Sequence, residues 1–168
     1  MHYLDTAFVQ LEFAIKLMHA AEQGAVSLDE IDVPLTIEDG RSILVLPDKV
    51  FQNSNDFINA CQNNVSIAFG AAAITLNRCR EEAGLRLPDP VDNETEQWIA
   101  LVYQIRNAFA HDISEPKWNL NGRYARPYEV AGVKADLSDL HEVHFDYAQI
   151  GGPDALFHLR DYARSNLF

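Results

Sequence analysis

Gln104-Ile105-Arg106-Asn107-Ala108-Phe109-Ala110-His111-Asp112 is the stretch from which both the fold and the candidate site are read. Ile105, Ala108 and Phe109 continue an apolar series that begins at Trp98, Ile99, Leu101 and Val102, spaced as one broad face of a helix. The spacing predicts a helix over residues 94–111, with an apolar surface wide enough to be buried on two sides. Pro116 ends any continuation, because proline lacks an amide hydrogen and clashes with the preceding turn. Arg106, Asn107 and His111 therefore gather in the last turn of a helix.

Outward from this helix the chain stays mostly helical. Leu4, Ala7, Phe8, Leu11, Ile15 and Met18 make a stripe over residues 3–23, stopped by Gly24. A longer helix is expected from Asn53 or Ser54 to Glu82, with Gly84 as its stop, and its small-residue run at 68–73 suits close approach of a neighbouring helix. Arg78, Arg80, Glu81 and Glu82 read as its solvated last turn. Gly151-Gly152-Pro153-Asp154 opens a final helix.

Two stretches break the helical period. Asp39-Gly40 lies between β-prone runs, the strongest short hairpin signal. An Asp-Gly loop would pair Glu38 with Arg41, Leu35 with Leu44 and Val33 with Leu46, giving one apolar face to pack on helices, with Pro47 ending the hairpin. Residues 118–150 read as loop with short strands at 128–134 and 144–150. The expected fold class is mainly α within α+β: one domain over residues 1–168, about four helices, a β-hairpin, and short strands before the C-terminal helix.

The chain of 168 residues carries a formal charge of −12, which opposes general affinity for nucleic acid. Any such site must be a local basic pocket, and a basic partner protein suits the charge equally. Cys61 and Cys79 lie eighteen positions apart on one predicted helix, about 27 Å along its axis. That excludes a mutual disulfide within a straight helix. They read as packing residues of a reducing compartment. No leader segment and no membrane span is expected, so the chain reads as a soluble cytoplasmic protein.

Arg, Asn and His at this spacing suit cleavage of a phosphodiester without a metal or other cofactor. A histidine moves protons near neutral pH, a guanidinium holds a phosphate at two points, and an amide orients a hydroxyl or the imidazole. Asn107 and His111 are four apart and share a helix face, whereas Arg106 lies about 140° from His111 on an ideal helix. With nine Arg and six His in the chain, a bare Arg-x4-His match is expected by chance about once. A structural role fits the same residues: His111 capping carbonyls, Arg106 pairing with a carboxylate, Asn107 limiting fraying.

Arg106-Asn107-Ala108-Phe109-Ala110-His111 resembles the Arg-polar-x-x-x-His signature of the HEPN superfamily, and the following 112–118 run is similar to that of a group of bacterial HEPN-like proteins. The likeness is sharp over residues 94–118 and elsewhere rests on helix layout. It implies a helical bundle that homodimerises and brings two motifs into one cleft. It also implies either a metal-independent endoribonuclease, often a toxin or defence effector with an antitoxin partner, or a non-catalytic module that binds a protein or nucleotide. By resemblance, Arg106, Asn107 and His111 take the active positions.

Downstream, basic and aromatic residues interleave. Lys117, Trp118, Arg123, Tyr124 and Arg126 form a candidate RNA-binding set, since stacking and phosphate contact are what single strands use. The alternative is that the aromatics cover the end of the bundle. His141-Glu142-Val143-His144 lacks the four-residue His spacing of a helical zinc motif and is assigned no metal.

Overall fold

The computed structural model describes residues 2–46 and 48–168. The expected hairpin stop at Pro47 lies outside the described residues. In chain order the elements are α1 (His2–Glu22), α2 (Leu28–Ile31), β1 (Leu35–Asp39), β2 (Ser42–Leu46), α3 (Ser54–Glu82), α4 (Glu94–Ala110), β3 (Pro127–Val130), β4 (Val133–Asp136) and α5 (Ala155–Asn166). The class is mainly α within α+β, as the helical periods imply. No described helix is long and apolar enough to cross a membrane. The residues fall into two compact units, one formed by the chain through Leu11 together with Ser66–Phe168, the other by Glu12–Val65.

The first unit is built on α4. Asn93 and Glu96 form a reciprocal capping box: Asn93 Oδ1 accepts from Glu96 N at 3.0 Å, and Glu96 Oε2 accepts from Asn93 N at 3.1 Å. All seven expected apolar positions of α4 are buried. Each large one adds roughly 1.5–3 kcal/mol on leaving water. Trp98 Nε1 donates to Leu159 O of α5 at 2.8 Å, so the indole is buried with its polar edge satisfied. Phe8 of α1 meets Phe157 of α5 edge-on, with ring centroids 5.5 Å apart, and Asp5 pairs with Arg164.

Gly70 of α3 sets the approach of α3 to the end of α4. A Cβ there would lie 2.7 Å from Phe109 Cδ1 and 2.9 Å from Ile113 Cγ1. The small-residue run thus does what its composition implies.

β3 and β4 form a hairpin closed by Val130↔Val133. Its loop, Ala131-Gly132, has φ of 55° and 77°, the left-handed pair of a type I′ turn. The expected single strand over 128–134 is therefore corrected to two strands with a reversal in the middle. Tyr128, Val130, Val133 and Ala135 face inward in strict alternation. The expected strand at 144–150 is also corrected: His144 makes one isolated bridge to Lys117, and Tyr147–Ile150 is a 3-10 turn capped by Asp146.

In the second unit, Ala21, Phe57 and Cys61 form a small core with Leu17, Met18, Phe51 and Ile58 around it. Asn53 Oδ1 accepts from Asn55 N at 2.9 Å and Asp56 N at 3.1 Å, which starts α3. β1 and β2 pair as Leu35↔Leu46, Ile37↔Leu44 and Asp39↔Ser42. The loop is thus Gly40-Arg41, with Gly40 at φ 59° in the first central position that a type II′ turn requires. Moving the loop by one residue shifts every expected pair by two. Both strands are exposed along their whole length, so the expected packing of one face on helices is corrected as well.

Candidate functional site

The last two turns of α4 bury Gln104, Ile105, Ala108 and Phe109 and leave Tyr103, Arg106, Asn107 and Ala110 partly or fully open. These open positions and exposed His111, the C-cap, trace one strip of the helix. Arg106 and His111 mark its two edges, about 140° apart by helix geometry, with Asn107 between them.

The motif side chains take separate partners. Arg106 Nη1 donates to Asn107 Oδ1 at 2.9 Å. The contact of His111 is different: its Nε2 stands 3.1 Å from Asn119 Nδ2. An amide N–H donates to Nε2 there when the ring carries its proton on Nδ1. A half-turn of the amide would put Oδ1 there to accept from Nε2–H, which leaves Nδ1 of the neutral ring free. Asn119 was not legible as a site residue, because only the tertiary fold brings it to the end of α4.

Backbone pairing explains that placement. Lys117 N donates to Ala108 O at 3.1 Å, which caps an orphan carbonyl of α4 and folds the chain back on the helix end. Trp118 N donates to Val143 O at 2.9 Å and Glu142 N to Trp118 O at 2.8 Å. Segments 116–119 and 142–145 therefore run together past His111. Beside them, at the end of α4, lies a cavity of about 370 Å³ lined by Ala108, His111, Asp112, Glu115, Lys117, Asn119 and Glu142. Its charged lining is three carboxylates against one lysine.

Asp112 serves the turn that shapes this cavity. Its Oδ1 accepts from Ser114 N at 2.8 Å and Glu115 N at 3.0 Å. The backbone amides of Glu115 and then Ser114 hold its carboxyl below the usual aspartate range.

Of the candidate RNA-binding set, Lys117 alone lines the His111 cavity. Both aromatic members of the set are buried. Trp118 is 0% exposed, with Nε1 donating to Gln149 Oε1 at 2.7 Å, and Tyr124 is 1% exposed, with its hydroxyl donating to Pro88 O at 2.8 Å. Arg123 pairs with Asp89 at 2.6 Å, and Arg126 Nη1 donates to Val91 O at 2.9 Å. Arg123, Tyr124 and Arg126 thus hold the 85–93 loop. Both rings are satisfied core residues covering the end of the helices, the alternative that the sequence carried.

Arg80 departs from its expected place in a solvated turn. It is 4% exposed, its Nε donates to Asn77 Oδ1 at 2.9 Å, and its Nη2 pairs with Glu81 at 2.9 Å. Another guanidinium nitrogen reaches Leu85 O, so the side chain caps the end of α3 internally. Burial pushes its pKa down, and Glu81 opposes that shift. Gln104, fully buried, has no hydrogen-bond partner for either amide atom among the described residues, a cost of about 1–3 kcal/mol.

Among the described residues no group of three or more His, Cys, Asp or Glu side chains is arranged to hold a metal ion. His141 Nδ1 instead accepts from Leu120 N at 3.2 Å. No family model, curated protein or solved structure matches the chain.

Proposed function

We propose that the chain is a HEPN-like endoribonuclease that needs no metal and is completed by homodimerisation through the open strip of α4. The observation that carries this reading is that Arg106, Asn107 and His111 share the strip that α4 leaves uncovered, although most of that helix is buried. In one copy, the guanidinium and imidazole lie at opposite edges. A second copy packed across the strip would set Arg106 of each against His111 of the other.

The chemistry follows from the groups. With the Asn119 amide turned so that its oxygen accepts from Nε2–H, the free Nδ1 of neutral His111 takes the proton of a ribose 2′-hydroxyl. The freed oxygen forms a bond to phosphorus as the bond from phosphorus to the 5′ oxygen breaks. The leaving oxygen takes a proton from water, and the imidazolium returns its proton to solvent. Arg106 holds the phosphate and offsets the charge that builds on it. Asn119 contacts the imidazole, and Asn107, whose amide oxygen accepts from Arg106, keeps its Nδ2 to orient a ribose hydroxyl. Lys117 adds the positive charge at the cavity. A cytoplasmic site of action, as a toxin or defence effector held by an antitoxin, fits the free thiols of Cys61 and Cys79.

The test is cleavage of labelled single-stranded and structured RNA in EDTA. Wild type cleaves, and His111→Ala loses about 100-fold or more. Equal residual cleavage by the two proteins would sink the proposal.

One observation favours a second reading, a non-catalytic module that binds a protein or nucleotide. Three carboxylates line the His111 cavity, where a phosphodiester would meet repulsion. On that reading Arg106→Ala changes stability or dimerisation, and neither wild type nor variant cleaves RNA.

A further inference from the structure

The β1–β2 hairpin is the strongest unexplained feature outside the site. Leu35, Ile37, Leu44 and Leu46 stand on one face and are 46%, 46%, 52% and 49% exposed. Ile43 and Val45, on the other face, are 67% and 53% exposed. Among the described residues the sheet has two strands, so each has an unpaired edge. A two-stranded sheet of this size is marginal in water by itself, and contiguous apolar surface of this kind marks an interaction site.

The arm is nevertheless fixed at its base. Asp32, buried, accepts from Val50 N at 2.8 Å and from Phe51 N at 2.9 Å, which closes the segment that carries the hairpin. These backbone amides hold its carboxyl below the usual range. Gly40 supplies the turn at the other end. The sequence therefore maintains a formed hairpin while leaving its aliphatic side chains uncovered.

Charge selects the occupant. Residues 27–50 hold six acidic side chains against two basic ones, Arg41 and Lys49, and Lys49 is paired with Asp29 at 3.5 Å. Glu38 and Asp39 lie at the turn end and Asp29 and Glu30 at the base, all exposed. A second copy would bring the same acidic rim and the same −12 charge against itself. An anionic bilayer would be repelled by the same field. We propose that the hairpin is a docking site for a basic, apolar segment of another protein, extended so that alternate aliphatic side chains lie on Leu35, Ile37, Leu44 and Leu46. Its lysines or arginines meet the acidic rim. The inference is independent of the ribonuclease reading.

The test uses the full chain and three fluorescein-labelled peptides, alternating leucine–lysine, serine–lysine and leucine–glutamate, followed by anisotropy at low and high salt. The leucine–lysine peptide binds saturably and more weakly as salt rises. The other two bind at least about tenfold more weakly, and Ile37→Thr with Leu44→Ser lowers the affinity about tenfold or more. These side chains are exposed, so unchanged helical circular dichroism and melting certify the variant, and Leu44→Lys serves as a second variant. Equal binding of the leucine–lysine and serine–lysine peptides would reduce the effect to bulk charge and overturn the proposal. So would full affinity in the hairpin variants, or no binding at all. Sedimentation that finds a wild-type dimer dissociated by the hairpin variants would assign the face to a second copy, and wild-type binding to anionic vesicles lost in those variants would assign it to a membrane. Either result overturns it.

Discussion

Gly70→Ala tests the contact that positions the end of α4. Two opposed effects set its sign. Alanine is preferred over glycine inside a helix by about 1 kcal/mol. Against that, the new methyl would lie 2.7 Å from Phe109 Cδ1, 2.9 Å from Ile113 Cγ1 and 3.1 Å from Phe109 Cγ. Favourable carbon contacts lie near 3.5–4.0 Å, so the neighbours must move. The Phe109 ring has little freedom to do so, since Phe69 and Phe145 hold it at centroid distances of 5.5 and 4.8 Å. Overpacking of this kind costs about 1–3 kcal/mol and outweighs the helix preference. The expected net loss is roughly 0–2 kcal/mol, up to about 8 °C in Tm for a chain of this size. Urea and thermal unfolding followed by circular dichroism measure it. Phe109→Leu removes the ring and leaves the contact to Ile113, so in that background Gly70→Ala costs less than in wild type, and the double-mutant cycle isolates the ring's share. If Gly70→Ala alone stabilises the protein by the full helix preference, the α3–α4 approach is not set by this glycine.

Three further outcomes follow from single contacts. Trp118→Phe loses the bond to Gln149 and some buried volume and destabilises by roughly 1–3 kcal/mol in urea unfolding, while RNA leaves the emission of both buried tryptophans unquenched. Asn93→Ala removes the capping box of α4 and costs about 1 kcal/mol by the same assay. Asp112 has its folded pKa depressed, so its contribution to the 112–115 turn is present above the ordinary aspartate range and is lost as pH falls through the lowered value. Hydrogen exchange at Ser114 and Glu115 checks this: the amides lose protection on acidification in wild type and lack it already at neutral pH in Asp112→Ala.

The long helices were legible because each carries a wide apolar stripe with a stop. Gly24 and Gly84, at φ 65° and 73°, end α1 and α3 where the sequence places them. The strands were legible only in kind. Asp39-Gly40 signals a reversal, but glycine in the first loop position of a type II′ turn puts Asp39 in the strand, and composition does not separate the two registers. Ala131-Gly132 hides a type I′ turn, since alanine rarely takes a left-handed φ. Arg80 looked solvated because a charge in a last turn usually is. Its burial depends on Asn77, Glu81 and the Leu85 carbonyl meeting all sides of one guanidinium. The candidate site was legible as a helix-end motif, and its placement on the open strip of α4 follows from the apolar pattern around it. The pairing of His111 with Asn119 was not legible, because it depends on the chain folding back at Lys117.

The central claim is that Arg106 of one copy serves His111 of another. Arg106→Ala and His111→Ala, each inactive alone, are mixed, unfolded together and refolded, and RNA cleavage in EDTA is measured against wild type treated identically. Half of the refolded dimers would be mixed and each would hold one intact site of two, so the mixture recovers about a quarter of the wild-type rate per chain. A mixture no more active than either variant alone, beside an active wild type, would contradict a site shared between two copies.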